Sequence, residues 1–232
     1  ERCFHYPDDV GFSEGWADES FDQTIRLPGT TDEAKLGSRT RDTAYGILSR
    51  EYEYIGPAWY SKSILIPEGW EDKIITLFLE RVLWESQVFI DGKHIGKQDA
   101  LGTPHIHELG RLKAGKHKLY IRINNDMIHN IGDKGHAYGE YMQSIWNGVV
   151  GKIELRANDR IHIDDLRLYP DVKNKSVLVE MKVDKPQGTD LEYVFRIREK
   201  GSEEMIYEET HRSSGEEINI ILKPEQDITL WN

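Results

Sequence analysis

The sequence predicts an all-β chain built as two successive sandwiches, and three observations predict it. Side chains alternate with a period of two through the stretch Trp59 to Asn125, which lays successive residues on opposite faces of a sheet. Asp91-Gly92 stands between two strand signals, and this dipeptide suits a two-residue hairpin because both turn positions need positive φ. From Arg160 onward the texture changes to short, evenly spaced strands with Pro170, Pro186 and Pro224 at their ends, where a missing N–H does least harm. The expected architecture is a jelly-roll sandwich over 1–158 and an immunoglobulin-like sandwich over 159–232.

The first forty residues are turn-rich and carry Trp16 and Phe21, with a strand signal at Thr24 to Leu27. Thr30-x-x-Glu33 has capping-box spacing, and Gly37 after Leu36 is a stop signal, so a turn or two of helix is expected there. Tyr52 to Ile55 reads as an edge strand closed by Gly56-Pro57. In Trp59 to Ile66, Trp59, Ser61, Ser63 and Leu65 share one face and Tyr60, Lys62, Ile64 and Ile66 the other. Ile74 to Leu79 is a continuous apolar run. Gln87 to Ile90 and Lys93 to Ile95 flank the hairpin turn. Leu119, Ile121 and Ile123 alternate with Lys118, Tyr120, Arg122 and Asn124, predicting one dry and one wet face. The pattern fails between Asn124 and Gly151, a long loop of the kind that is commonly functional. Gly151 to Arg156 then closes the first domain. The second offers strands at Ile161–Leu168, Val177–Val183, Leu191–Ile197, Met205–Thr210, Ile218–Leu222 and Ile228–Trp231.

Composition narrows the function classes. The 232 residues are 38% hydrophobic and 31% charged, with six Trp and eleven Tyr, enough aromatic mass for real cores. No apolar run of about 18 residues could span a bilayer, so no membrane partner is expected. The start, Glu1-Arg-Cys-Phe-His5, lacks the apolar segment of a signal peptide. Any export signal would already be gone, which suits a periplasmic or extracellular site. The lone Cys3 allows no internal disulfide and no CxxC motif. A net charge of −11 opposes binding to phosphate backbones, so nucleic acid is not an expected partner. The last 32 residues alone carry eight acids against Arg212 and Lys223. Their adjacent acid pairs, such as Glu203-Glu204, point to opposite faces of a strand and read as solvated surface.

No HExxH, Walker loop or GxGxxG is present, which removes the mechanical parts of zincins, NTPases and Rossmann enzymes. His105-x-His107 would share a strand face, but without a third ligand it predicts no metal site. No cofactor is expected.

Read together, Gly56-Pro-Ala-Trp-Tyr60, Ile66-Pro-Glu-Gly-Trp70, Val88-Phe-Ile-Asp-Gly92 with Ile95-Gly96, and Ala114-Gly-Lys-His-Lys-Leu119 resemble the N-terminal sugar-binding domain of glycoside hydrolase family 2. That family includes β-galactosidases, β-glucuronidases and β-mannosidases. Ile163-Asp-Asp-Leu166 and Leu230-Trp231 resemble the immunoglobulin-like domain that follows. The resemblance implies that the catalytic glutamates lie on a (β/α)₈ barrel beyond Asn232. It therefore implies no catalytic residue in this chain, and a second sandwich of six strand signals where about seven or more are usual.

The resemblance also implies substrate-binding residues. The loop before the first domain's last strand reaches toward the barrel's active site. It is Ser144-Ile-Trp146-Asn-Gly148 here, with Ser144 where the family often has an acidic or polar residue. Trp146 could offer a ring face to a pyranose and Asn147 an amide that both donates and accepts. Glu53, Tyr54 and His136 are further candidates, each with a structural role as the rival. The expected partners are carbohydrate, bound with the barrel, and further copies of the chain in a homo-oligomer formed through the second sandwich's open edge. A stand-alone carbohydrate-binding module and a structural or adhesive sandwich are the alternatives.

Overall fold

A computed structural model of the chain describes residues 2–5, 10–40, 49–132, 135, 138 and 145–225. It is almost wholly β, as the alternation predicts. Two compact units are formed, Glu1–Ala157 and Asn158–Asn232.

The first unit contains β1 (Arg2–His5), β2 (Gln23–Thr24), β3 (Gly29–Thr30), β4 (Ser38–Arg39), β5 (Tyr52–Glu53) and β6 (Pro57–Ile66). These are followed by β7 (Ile74–Arg81), β8 (Glu85–Ile90), β9 (Lys93–Gln98), β10 (His105–Gly110), β11 (Gly115–Asn124) and β12 (Gly148–Asn158). A six-stranded sheet in the order β2-β1-β6-β11-β8-β9 faces a four-stranded sheet in the order β10-β7-β12-β3. Their inner faces meet in one core. Ala58, Tyr60, Ile64, Ile66, Val88, Ile90, Leu119, Ile121 and Ile123 come from the first sheet, and Ile75, Leu77, Leu79, Leu109 and Val149 from the second.

The turn chemistry is where the sequence places it. Asp91 and Gly92 have φ of 48° and 75°, and Ile90 pairs with Lys93 across them. The Asp91 carboxylate also accepts the Lys118 backbone N–H at 2.8 Å and approaches His117 Nδ1 at 2.6 Å, so the turn is tied to β11. The apolar run of β7 resolves into strict alternation, with Ile75, Leu77 and Leu79 inward.

The expectation of one dry and one wet face fails on the central strands. Trp59, Ser61, Tyr120 and Arg122 all point away from the inner core, yet all are buried. The cause lies in residues 10–22, which fold over the outer face of the six-stranded sheet. Trp16 and Phe21 join Trp59, Phe89 and Tyr120 in a second cluster, with Val10 and Ala17 at its margin. Trp16 meets Phe21 edge to face at 6.1 Å, and Phe21 meets Tyr120 in the same way at 6.1 Å. Full burial of one large apolar side chain is worth roughly 1.5–3 kcal/mol, so such a cluster can hold a turn-rich segment that has almost no ladder of its own. Beside it Arg122 Nη1 donates to Glu85 Oε1 at 2.6 Å, with both residues buried, and its guanidinium lies 5.3 Å from the Phe12 ring.

The helix expected after Thr30 is instead a capped turn. The box itself forms. Thr30 N–H donates to Glu33 Oε2 at 2.9 Å, and Glu33 N–H donates back to Thr30 Oγ1 at 3.2 Å. Lys35 then enters the left-handed region at φ 58°, which ends the turn before a helix can propagate.

Gly148 opens β12 at φ 136°, and a Cβ there would lie 2.3 Å from the backbone oxygen of Gly29 on β3. Both the backbone conformation and the close approach require glycine. Gly148→Ala is expected to destabilise the first unit by about 2 kcal/mol or more, read as a lowered midpoint in urea denaturation.

The second unit contains β13 (His162–Asp171), β14 (Ser176–Asp184), β15 (Leu191–Arg198), β16 (Met205–Ser213) and β17 (Glu217–Leu222). A three-stranded sheet, β13-β14-β17, and the hairpin β15-β16 enclose Val179, Met181, Val183, Ile218 and Leu222. The apolar side of β13 is poorly covered. Ile163, Leu166 and Leu168 are 56%, 51% and 59% exposed along a groove of about 440 Å³ that also touches Val179 and Phe195. The strand signal at Ile228–Trp231 lies outside the described residues.

Candidate functional site

The loop that ends at β12 is anchored by two asparagines. Asn125 follows β11 and Asn147 precedes β12, and neither has measurable exposure. The Asn147 amide nitrogen donates to the carbonyls of Gly56 at 2.9 Å and Ile123 at 3.2 Å and to Asn125 Oδ1 at 3.2 Å. Its Oδ1 accepts the Tyr60 hydroxyl at 2.6 Å. Asn125 completes the net by accepting the Gly56 N–H and donating to the Tyr54 carbonyl, both at 2.9 Å. The Asn147 carbonyl takes the Thr31 N–H at 2.9 Å. Four chain segments are thus pinned at one buried point, and each polar atom of the two side chains has a partner.

On this base sits an aromatic cluster. Leu83, Trp84 and Ile145 are buried, with Leu101, Tyr138 and the half-buried Trp146 packed against them. The Tyr138 hydroxyl donates to the Leu101 carbonyl at 2.7 Å. The His129 ring lies 6.0 Å from that of Trp84. Among the described residues the indole N–H of Trp84 is buried without a hydrogen-bond partner, an uncommon condition for a buried donor.

The expected contact residues separate accordingly. Trp146 lies half-buried at the margin of the cluster. Asn147 is spent inside the fold, so its amide cannot also serve a sugar hydroxyl. Tyr54 is likewise committed, with its ring in the main core and its hydroxyl donating to the Pro57 carbonyl. Both lose the ligand-binding role expected of them, because full burial of a polar group demands partners within the protein. Glu53 is half-exposed and accepts from Arg50 Nη2 at 3.1 Å, so its carboxylate is partly neutralised. Ser144 and His136 lie outside the described residues.

His105 and His107 do share one face of β10, and it is the inward one. Both meet Ser86 of β8, whose hydroxyl oxygen lies 2.7 Å from His105 Nδ1 and 2.8 Å from His107 Nε2. Burial, with the nearby His105 and His94 charges, holds the His107 pKa down at about 4, and burial also lowers that of His105. Nothing in the local sequence around Ser86 signals this contact, because it crosses between the two sheets. Among the described residues no group of three or more His, Cys, Asp or Glu could hold a metal ion, and no helix is long and apolar enough to cross a membrane.

No family model matches the chain. It is 22% identical over 184 residues to a β-galactosidase of Thermoanaerobacterium thermosulfurigenes, covering 75% of this chain and 25% of that protein. It is 24% identical over 212 residues to a β-glucuronidase of Formosa agariphila, covering 86% and 19% respectively. The chain therefore spans a quarter or less of the curated relatives it matches. Among solved structures, the Ruminococcus gnavus β-glucuronidase superposes with a TM-score of 0.68 at 15% identity over 97% of this chain and 37% of that one. A β-glucuronidase from an uncultured Clostridium sp. gives 0.65 at 18% identity, over 97% and 38%. Over most of its length the chain is homologous to part of proteins named β-galactosidase and β-glucuronidase, and it shares its fold with part of two solved β-glucuronidases. The resemblance carried by its strand-and-turn motifs is shared by relatives named β-galactosidase and β-glucuronidase.

Proposed function

We propose that the chain is the non-catalytic N-terminal portion of a family 2 glycoside hydrolase, acting on O-glycosidic bonds of the β-galactoside or β-glucuronide type. In this reading the two sandwiches scaffold a catalytic barrel supplied by the rest of the protein, and the Trp146 loop shapes its substrate cleft. The observation that carries the reading is the extended match to glycosidases, which runs through both units.

The carboxylates support a scaffolding role. A retaining glycosidase needs one carboxylic acid with a raised pKa and a second carboxylate roughly 5–5.5 Å away. Among the described residues Glu85 is the buried carboxylate. Burial pushes its pKa up, but the Gln87 hydrogen bond and the Arg122 charge outweigh this and leave it below the ordinary value. Glu85 is thus tuned to stay ionised, opposite to the need of a general acid.

Purified chain is expected to release no nitrophenol from aryl β-galactosides or β-glucuronides. Calorimetric titration with galactose, glucuronate and mannose is expected to give dissociation constants weaker than about 1 mM, since one loop offers few converging polar groups. Turnover abolished by changing an acid within the chain would overturn the scaffold reading. Sub-millimolar binding lost in Trp146→Ala would make the chain a carbohydrate-binding module in its own right.

The uncovered apolar side of β13 supports two linked readings: that the second unit is part of a larger sandwich, and that exposed copies self-associate through this side.

A further inference from the structure

The Ser86–His105–His107 contact has a determinate proton arrangement. His105 Nε2 faces the Ala100 carbonyl at 2.9 Å, and a carbonyl only accepts, so this nitrogen carries the proton. In a neutral ring the lone pair then sits on Nδ1, and the Ser86 hydroxyl donates to it. The serine oxygen is left to accept from His107 Nε2–H. With both rings neutral, no other arrangement satisfies all three groups.

Added protons break this arrangement in two steps. A first proton on His105 Nδ1 can be absorbed if the Ser86 hydroxyl turns to His107 and His107 moves its own proton to Nδ1. A second cannot. Both rings would then donate to one serine oxygen, its hydrogen would lose its partner, and two positive charges would face each other in a buried site. The surrounding charges do not cancel them. His94 of β9 adds a repulsive charge to His107 when protonated. Asp99 favours protonated His105, but it also lies 3.9 Å from Lys97 Nζ and 3.7 Å from His129 Nε2. Glu85, next to Ser86 in sequence, is engaged by Arg122 and by Lys97 at 3.3 Å.

The contact also reaches the aromatic cluster by a short path. His105 holds the Ala100 carbonyl, the neighbouring Leu101 carbonyl holds the Tyr138 hydroxyl, and Leu101 and Trp146 each pack against the cluster of Leu83, Trp84 and Ile145. We infer that Ser86, His105 and His107 form an acid-released clasp between the two sheets of the first unit, and that its closed state positions the 99–104 loop beneath the Trp146 cluster. The three are positioning residues. The clasp stands on its own contacts, whereas its bearing on a sugar rests on the function proposed above.

The test is site-resolved hydrogen exchange, corrected for intrinsic rates, between pH 7 and pH 4.5, with no sugar present. Protection of the ladder amides of β9 and β10, the strands that flank 99–104, is expected to fall about tenfold or more over this range, while that of β14 and β17 changes less than about threefold. His107→Gln can still donate to Ser86 but cannot titrate, and it is expected to keep the β9 and β10 protection at pH 4.5 within about threefold of its value at pH 7. The same loss in His107→Gln as in the unsubstituted chain would overturn the inference, as would a loss spread evenly over both units. Nitrogen-15 spectra of the unsubstituted chain give an answer independent of whether the variant folds. At pH 7 the two imidazoles are expected to be neutral and protonated on Nε2, and a protonated or tautomer-averaged His105 would refute the clasp. These signatures are read without sugar, so their absence would refute the clasp and leave the proposed function to the hydrolysis and titration experiments above.

Discussion

Asn147→Ala will cost the first unit about 3 kcal/mol or more, the largest effect expected of any single polar truncation in it. The side chain contributes little apolar area, so the loss comes from what it leaves behind. The Tyr60 hydroxyl, the Gly56 and Ile123 carbonyls and Asn125 Oδ1 each lose a partner at a site without solvent exposure. One orphaned buried group costs roughly 1–3 kcal/mol, and partial relaxation keeps the total below a simple sum. Urea denaturation followed by Trp fluorescence measures it. Asn147→Asp keeps the acceptor for Tyr60 but loses the donors and adds a buried charge, so it is expected to be at least as damaging. An Asn147→Ala chain within about 1 kcal/mol of the unsubstituted one would show that water replaces the amide.

Arg122→Ala is expected to destabilise by about 3 kcal/mol, because it strands the Glu85 carboxylate beneath the aromatic cluster. Lys97 lies 3.3 Å from Glu85 and is half-exposed, so it offers only partial compensation. The double change Arg122→Met with Glu85→Leu is expected to recover most of the loss, since replacing a whole buried pair by apolar groups is often neutral or favourable. A pH series adds an independent arm. The depressed pKa of Glu85 means that the folded state binds fewer protons than the unfolded one. Its contribution is therefore fully present above the ordinary carboxylate pKa and disappears as pH falls through the lower folded value. Arg122→Ala should flatten that part of the curve.

Which features could be read from sequence follows from the distance over which their cause acts. The Asp91-Gly92 hairpin and the Thr30–Glu33 box are local, and both form from neighbours within three residues. Alternation placed the inner core because the period-two rule is also local. It could not announce that Trp16 and Phe21, from a segment with little strand character, would cover the other face of β6 and β11. The role of the two asparagines is hidden for the same reason. Asn125 and Asn147 sit among turn formers, where asparagine usually serves its own backbone, but their partners lie 22 to 91 residues away. Trp146 is half-buried at the margin of its cluster, on a foundation that no local motif encodes.

The cover on the outer face carries a cost in time. Tyr120 donates its hydroxyl to the Glu19 carbonyl across 101 residues of chain. Residues 10–22 leave the ribosome first, yet the strands they cover, β6, β8 and β11, are complete only after Asn124. At roughly 5–20 residues per second, the gap is on the order of 5–20 seconds. Throughout it, Trp16 and Phe21 have no surface to pack on and are open to chaperones, to proteases and to the emerging segments of neighbouring chains on the same message. Slowing translation between codons 22 and 124 should therefore lower the yield of native protein more than the same pause placed after codon 158.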